Sequence, residues 1–130
     1  MAEPRWVDRT ALLAIHLDQI REHGGLQGVR DEAALDSALN RARQKWHYGE
    51  TRDVPTLAAA YAFGLSSNHP FRDGNKRTAF LAMIVFLGLN GWEFEAEEAD
   101  VVQAMVALAA GKLSEDELAV WIRHHSAPIP

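Results

Sequence analysis

The stretch HPFRDGNKRTAFLAMIVFLGL, residues 69–89, joins a charged, glycine-containing turn to the longest apolar run of the chain. Pro70 disfavours helical geometry in the residue before it, so a helix that arrives from the N-terminal side must end at Asn68–His69. A new helix is predicted to begin near Asn75. Its apolar part, Ala79–Leu89, is too short to span a bilayer and is therefore predicted to be buried.

Capping residues and glycines mark further helices on both sides of this stretch. The segment before it, TLAAAYAFGLSS, is crowded with alanine and contains Gly64. Small residues let a neighbouring helix approach closely, so this segment is predicted to lie against the core. Helix starts are predicted at Asp8 or Thr10, at Asp31, at Asp53 with Pro55, and at the Ser114–Glu117 capping box. Helix ends are predicted at Gly24–Gly25, Asn90–Gly91 and Gly111.

Residues 92–98, WEFEAEE, alternate apolar and polar side chains, which predicts a short extended piece. The piece is too isolated in the sequence to found a sheet. The predicted fold is therefore all-α: a compact bundle of about six helices around a central buried helix, with Ala79–Leu89 as that helix. No repeat or interdomain linker is visible, so residues 1–130 are predicted to form a single domain.

The composition restricts the classes of function. A formal net charge of −5 argues against nonspecific binding to nucleic acid or to membrane surfaces, although Lys76–Arg77 could still make a local basic pocket. The chain has no cysteine, which excludes disulfides, zinc–thiolate sites and thiol nucleophiles and fits a reducing cytoplasm. No secretory signal is visible at the N-terminus.

The turn before Asn75 has the chemistry of an anion site. The first N–H groups of a helix have no partner within the helix, and together with the helix dipole they attract phosphate. Gly74 permits backbone conformations that are closed to other residues and lets an anion approach. Asn75 can donate a side-chain amide, while Lys76 and Arg77 bring positive charge to the same helix end. A polyphosphate is the predicted ligand, and a purely structural turn is the alternative.

Two further side chains of the turn predict chemistry at bound phosphates. Asp73 lies beside the cations, and magnesium prefers one or two carboxylates with phosphate oxygens and water. His69 can take a proton from a hydroxyl near neutral pH, which predicts a general base. Phe71 is apolar within a polar turn and is predicted to insert into the core. A histidine before a proline is more often a capping or solvent-facing residue, and that alternative stays open.

The whole stretch resembles the signature of the Fic/Doc superfamily, and within it that of the death-on-curing (Doc) toxin family of type II toxin–antitoxin systems. The family pattern is H-x-F-x-(D/E/N)-(G/A)-N-(G/K)-R, and this chain matches every specified position. The GGLQG turn at residues 24–28, the chain length and the helix order are also similar to those of Doc proteins. The matching residues are His69, Phe71, Asp73, Gly74, Asn75, Lys76 and Arg77.

The resemblance implies a role for most of the matched residues. It implies that His69 deprotonates or orients the target hydroxyl and that Asp73 organises magnesium. The nest that would bind the phosphates consists of Gly74, Asn75, Lys76 and Arg77.

Two chemistries occur in the superfamily, and two positions of this sequence discriminate between them. Nucleotidyl-transferring Fic enzymes typically read G-N-G-R-x-x-R, where the second glycine leaves room for two phosphates and the last arginine holds the nucleotide. Lys76 replaces that glycine, filling the space with a point charge, and Phe80 replaces the arginine and cannot hold a phosphate. Both departures match the Doc pattern, although Gly74 stands where many Doc proteins have alanine.

The resemblance therefore implies a toxin-like protein kinase that transfers the γ-phosphate of ATP, with Mg²⁺, to a Ser or Thr hydroxyl of a translation factor, elongation factor Tu. His69 would activate the hydroxyl, while Lys76 and Mg²⁺ offset the charge on the γ-phosphoryl group. A Fic-type nucleotidyl (adenylyl) transferase and a catalytically silent partner-binding module are the alternatives.

The resemblance also implies restraint by a separate, cognate antitoxin, whose disordered segment folds as a helix into a groove of the toxin. Self-inhibiting Fic proteins carry an inhibitory helix of the form (S/T)-x-x-x-E-(G/N), and no convincing copy occurs here. Direct nucleic-acid binding by a helix-turn-helix is disfavoured, because DEAALDSALNRAR places acids at the start of its helix.

The histidines outside the signature carry less information. His16 and His23 have no acidic or histidine partner at obvious ligand spacing, and His124–His125 suit the negative end of the last helix. The GGLQG segment lacks the strand–turn–helix context of a dinucleotide loop, so it is predicted to be a helix C-cap followed by a turn.

Overall fold

The computed structural model describes residues 2–130, and its helices confirm the all-α prediction. Six helices and two short strands make up the fold within that range. None of these helices is long and apolar enough to cross a membrane. In chain order the elements are α1 Arg9–His23, α2 Glu32–His47, α3 Val54–Asn68, α4 Asn75–Leu89, β1 Trp92–Phe94, α5 Glu98–Ala109, α6 Glu115–His124 and β2 Ser126–Pro128.

The helix at the centre of the bundle is α3, rather than the helix that carries Ala79–Leu89. Most residues of α3 are buried, and it packs against α2, α4, α5 and α6. Helix α4 also packs on α1 and β1, but its last residue, Leu89, is 42% exposed. Small side chains explain the position of α3, because a Cβ at Gly64 would lie only 3.3 Å from the Cα of Ala38 in α2. The close approach predicted at Gly64 is therefore confirmed.

Side-chain caps begin the helices where the sequence predicts them. Asp8, Asp31 and Asp53 each accept a hydrogen bond from a first-turn N–H of α1, α2 and α3. At α6, the Glu117 N–H donates to Ser114 at 3.1 Å and the Ser114 N–H donates to the Glu117 carboxylate at 2.9 Å. Caps of this kind contribute about 1 kcal/mol each and depend only on residues close in the sequence.

The extended piece within residues 92–98 does form a sheet, so the prediction that it is too isolated was wrong. Strand β1 pairs antiparallel with β2, with Trp92 opposite Pro128. The Glu95 N–H then donates to the His125 carbonyl at 2.7 Å. The partner strand lies beyond α5 and α6 in the chain, so only the tertiary fold brings the two strands together.

A buried tyrosine on α3 ties the N-terminal segment to the core. Val7 is 1% exposed and Tyr61 is fully buried. The Val7 N–H donates to the Tyr61 hydroxyl oxygen at 3.0 Å, and the hydroxyl in turn lies 3.5 Å from the Val7 carbonyl oxygen. Burial raises the pKa of Tyr61 from 10.0 to about 12, an effect that the hydrogen bond to Val7 partly offsets.

The raised pKa of Tyr61 predicts a loss of stability at alkaline pH. The unfolded chain releases this proton from about pH 10, whereas the folded chain retains it until about pH 12. The stabilisation is therefore fully present below pH 10 and is lost as pH rises through 12. In urea unfolding, the wild type should lose about 2–3 kcal/mol more between these pH values than Tyr61→Phe does.

The substitution has a second effect that the experiment must separate. Tyr61→Phe also removes a buried hydrogen-bond partner, which lowers the free energy of unfolding by about 1–3 kcal/mol at every pH without changing the slope. Tyr48→Phe is the matched control, because Tyr48 is 81% exposed, and its curve should follow the wild type. Parallel curves for the wild type and Tyr61→Phe above pH 10 would contradict the prediction.

Candidate active site

The signature turn, residues 69–74, leaves α3 through a left-handed residue. His69 caps α3 with φ 46° and ψ 56°, and within residues 2–130 it is the one non-glycine residue with positive φ. This conformation costs about 1–3 kcal/mol for a residue with a side chain, so surrounding contacts must hold it. The imidazole is exposed at the junction of α3 and the turn. That location is accessible to a substrate hydroxyl, as the predicted role of His69 requires.

Arg30 holds the backbone on both sides of His69. Its Nε donates to the His69 carbonyl at 2.8 Å, and its Nη2 donates to the Asn68 carbonyl at 3.1 Å. Its backbone N–H donates to the Pro70 carbonyl at 2.7 Å. The last carbonyls of a helix have no partner within it. One arginine therefore caps the end of α3 and stabilises the left-handed residue.

That arginine belongs to a loop, residues 25–31, which runs antiparallel to the signature turn and which we call the brace loop. Val29 and Phe71 form an antiparallel bridge. The Arg72 N–H donates to the Gly28 carbonyl at 3.2 Å. The helix stop predicted for this part of the sequence is confirmed. Its contact with the signature turn has no local sequence signal and was not predicted.

Phe71 is 1% exposed and anchors the turn in the core, as predicted. His16 of α1 stacks on it, with 3.8 Å between ring centroids and 7° between ring planes. The Nε2 of His16 also lies 2.8 Å from the carbonyl oxygen of Asp73. Neither partner is an acidic or histidine side chain, so metal-ligand spacing could not reveal these contacts of His16. The one signal in the sequence is its place on the apolar face of α1, between Leu12 and Ile20.

Asp73 presents an exposed carboxylate beside the brace loop. Its Oδ2 accepts a hydrogen bond from the Leu26 N–H at 2.7 Å. Among residues 2–130, no group of three or more His, Cys, Asp or Glu side chains could hold a metal ion. A single accessible carboxylate nevertheless fits Mg²⁺, which takes its remaining ligands from phosphate oxygens and water. The metal role of Asp73 stays a prediction.

The start of α4 combines uncapped backbone donors with two cations. Gly74 is the N-cap, with a left-handed φ of 75°, and it has no side chain that could accept from the first-turn N–H groups. No acidic residue lies in the first turn, where Lys76 and Arg77 are both exposed. Cations are unfavourable at the positive end of a helix dipole. A bound anion would offset that repulsion.

The side-chain amide of Asn75 is engaged with the turn. Its Nδ2 donates to the Phe71 carbonyl at 2.9 Å, and its Oδ1 accepts from the Phe71 N–H at 3.0 Å. The amide therefore closes the loop around Phe71, and donating to a phosphate would compete with these bonds. The contribution of Asn75 to the nest, through the amide or through its backbone N–H, stays a prediction.

Phe80, one turn beyond the cations, lies in apolar surroundings. It is half-buried and packs edge-on against Phe94, with 5.8 Å between ring centroids. It also lines a groove of about 220 Å³ between α4 and α5, with Lys76 and Arg77 towards the N-terminal end of α4. A larger cavity of about 600 Å³ contains no signature residue. The α5 residues that line the groove are Val101, Val102, Met105 and Val106.

Comparisons with known proteins show the family to which the chain belongs. A family model described as the Fic/DOC family matches residues 6–87. The chain is 30% identical over 120 residues to "Protein kinase doc" of Escherichia phage P1, covering 92% of this chain and 94% of that protein. It is 43% identical over 77 residues to "Toxin Doc" of Mycolicibacterium smegmatis, covering 57% of this chain and 58% of that protein. The chain therefore belongs to the Fic/DOC family, and within that family it is of the Doc type.

Proposed function

We propose that this chain is a toxin that acts as a protein kinase and transfers the γ-phosphate of ATP to a Ser or Thr hydroxyl of a protein. One observation carries the proposal. Lys76 is exposed in the uncapped first turn of α4, whereas Phe80 one turn later packs among apolar side chains. A lysine charge suits one phosphoryl group, and a phenylalanine cannot hold the second phosphate of a transferred nucleotide. The relative named "Protein kinase doc" supports the same activity.

In the proposed reaction the start of α4 binds the ATP phosphates through backbone N–H groups, Lys76 and Arg77. Asp73 would hold Mg²⁺, which supplies further neutralisation of the phosphate charge when bound. His69 accepts the proton of the substrate hydroxyl. The hydroxyl oxygen forms a bond to the γ phosphorus, the bond from that phosphorus to the bridging oxygen breaks, and ADP leaves.

A rigid turn suits this reaction because catalysis of phosphoryl transfer consists mostly of positioning and electrostatic stabilisation. The brace loop and Asn75 hold the backbone from which the exposed side chains of His69 and Lys76 project. By family resemblance, we propose elongation factor Tu as the protein substrate and the cytoplasm as the compartment.

Labelled ATP tests which phosphate moves. A cell extract is incubated with the protein and ATP labelled at either the α or the γ phosphate. We expect only the γ label to appear on an extract protein. His69→Ala should lower that rate by about 10²–10⁴-fold, because it removes the general base. The matched control is His124→Ala, an exposed histidine of α6, which should keep the wild-type rate.

The same experiment distinguishes the alternatives. Transfer of the α label would contradict the proposed kinase activity and would favour a Fic-type nucleotidyl transferase. Transfer of neither label, with His69→Ala as toxic in cells as the wild type, would favour a catalytically silent binding module.

Lys76 gives a separate test, because the proposal assigns it the charge next to the transferred group. Lys76→Ala should lower kcat/KM for γ transfer by about 10²-fold, the usual effect of removing one preorganised group that stabilises developing charge. Lys112→Ala removes an exposed lysine outside the signature and should have little effect. Equal rates for Lys76→Ala and the wild type would remove Lys76 from the mechanism.

We also propose that a separate antitoxin covers the groove between α4 and α5. Val102 and Val106 are 56% and 51% exposed and lie one turn apart on α5, so together they form an apolar patch beside the groove. Lys76 and Arg77 flank this apolar surface. The chemistry fits an amphipathic helix whose apolar face lies on the valines and whose carboxylate meets the two cations. Such a segment would also screen the cations from ATP.

Coexpression tests the antitoxin proposal. The chain alone should arrest growth, and coexpression with its antitoxin should restore growth. Val102→Glu should abolish the rescue while leaving γ transfer intact, because it places a charge in the apolar contact. Val120→Glu is the matched control, since Val120 on α6 is also 56% exposed. Normal growth with the chain alone would argue against a toxin, and rescue of Val102→Glu would place the antitoxin elsewhere.

A further inference from the structure

We propose that His16 is a positioning residue for the phosphate-binding nest, an inference that rests on the function proposed for that nest. Its imidazole donates a hydrogen bond to the Asp73 carbonyl and so sets the direction of the peptide group between Asp73 and Gly74. His16 lies on α1 and is not part of the signature. It does not contact the reacting atoms in this proposal, and it acts through the backbone of the turn.

The contact is part-buried, the side chain that donates in it is buried, and its donor is defined. His16 is 4% exposed on the face of α1 that also buries Leu12 and Ile20. Its Nε2 lies 2.8 Å from the carbonyl oxygen of Asp73. A carbonyl oxygen can only accept a hydrogen bond, so Nε2 must carry the hydrogen. The ring therefore acts as a donor to the turn.

The direction of this carbonyl determines where the first donor of the nest points. The peptide bonds of residues 2–130 are not cis, and in a trans peptide the C=O and N–H groups point in opposite directions. Because the Asp73 carbonyl points towards His16, the Gly74 N–H points away from α1. Rotation of this peptide would also change φ at Gly74, the left-handed N-cap whose carbonyl accepts from the Thr78 N–H at 3.0 Å.

The hydrogen bond can be separated from the other contact that His16 makes. The ring stacks on Phe71, but Phe71 is also held by its bridge to Val29 and by the Asn75 amide. His16→Gln replaces the ring but can return an N–H donor near the position of Nε2. His16→Phe keeps an aromatic ring for stacking and removes the donor. The two variants therefore test the two contacts independently.

The test measures the Kd of tripolyphosphate, and of ATP with Mg²⁺, for the wild type and both variants. NMR shifts of the Gly74 and Lys76 amides report binding, and urea unfolding reports stability. We expect His16→Gln to bind within about threefold of the wild type. His16→Phe should bind at least about tenfold more weakly, a factor that corresponds to the net contribution of one intramolecular hydrogen bond. The rate of γ transfer should follow the same order.

Stability separates a positioning role from a structural one. Phenylalanine suits a buried site but leaves the Asp73 carbonyl without this partner, whereas glutamine keeps the partner and buries a polar amide, so we expect the two variants to be similarly stable. Binding that follows the free energies of unfolding, rather than the presence of the donor, would overturn the proposal. Tight binding by His16→Phe would also overturn it. If the wild type binds neither tripolyphosphate nor ATP, the start of α4 is not a phosphate-binding site. The proposed function would then fail together with this inference.

An independent readout concerns the imidazole itself. Long-range ¹⁵N–¹H spectra of the wild type should show a hydrogen on Nε2 of His16, as donation to Asp73 requires. A neutral ring protonated only at Nδ1 would show that this hydrogen bond does not exist, and the proposal would be wrong whatever the protein catalyses.

Discussion

The hydrogen bonds that the brace loop and α1 make to the signature turn are the contacts on which the site depends. A turn with left-handed residues at His69 and Gly74 has no regular ladder to pair its backbone groups. One intramolecular hydrogen bond contributes about 0.5–1.5 kcal/mol net to stability. Arg30 and His16 supply partners from outside the turn, at the His69 and Asp73 carbonyls. The shape of the turn is therefore determined by segments that lie far from it in the sequence.

This support divides the signature residues into two groups. Phe71 and the Asn75 amide face inward, where one fills the core and the other closes the loop. The side chains of His69, Asp73 and Lys76 are exposed on the outside. The division suits phosphoryl transfer, in which charged groups act best when their positions are set before the substrate arrives. The signature stretch thus contains both the exposed side chains proposed to act on the substrate and the buried groups that hold the turn.

Some features of the fold follow from residues close in the sequence, and others depend on contacts between distant segments. Helix starts at Asp31 and Asp53 were predictable because a cap bonds to an N–H only a few residues away. The central position of α3 was not predictable from the sequence. The long apolar run of Ala79–Leu89 is the stronger local signal, but small side chains on α3 let more helices pack against it. The contacts of His16 were not predicted because its partners, the Phe71 ring and the Asp73 carbonyl, belong to a turn that is distant in the sequence.

The sequence by itself determined the helices, the break at Pro70, and the collection of a histidine, a carboxylate and two cations around Gly74, because caps, breakers and charge patterns act within a few residues. Only the tertiary structure decided that α3 is central, that β1 pairs with β2, and that the brace loop lies along the signature turn. It also decided that the Asn75 amide faces inward. The physical reason is that a backbone group takes whichever partner the packed chain brings within reach, and that partner can come from any part of the sequence.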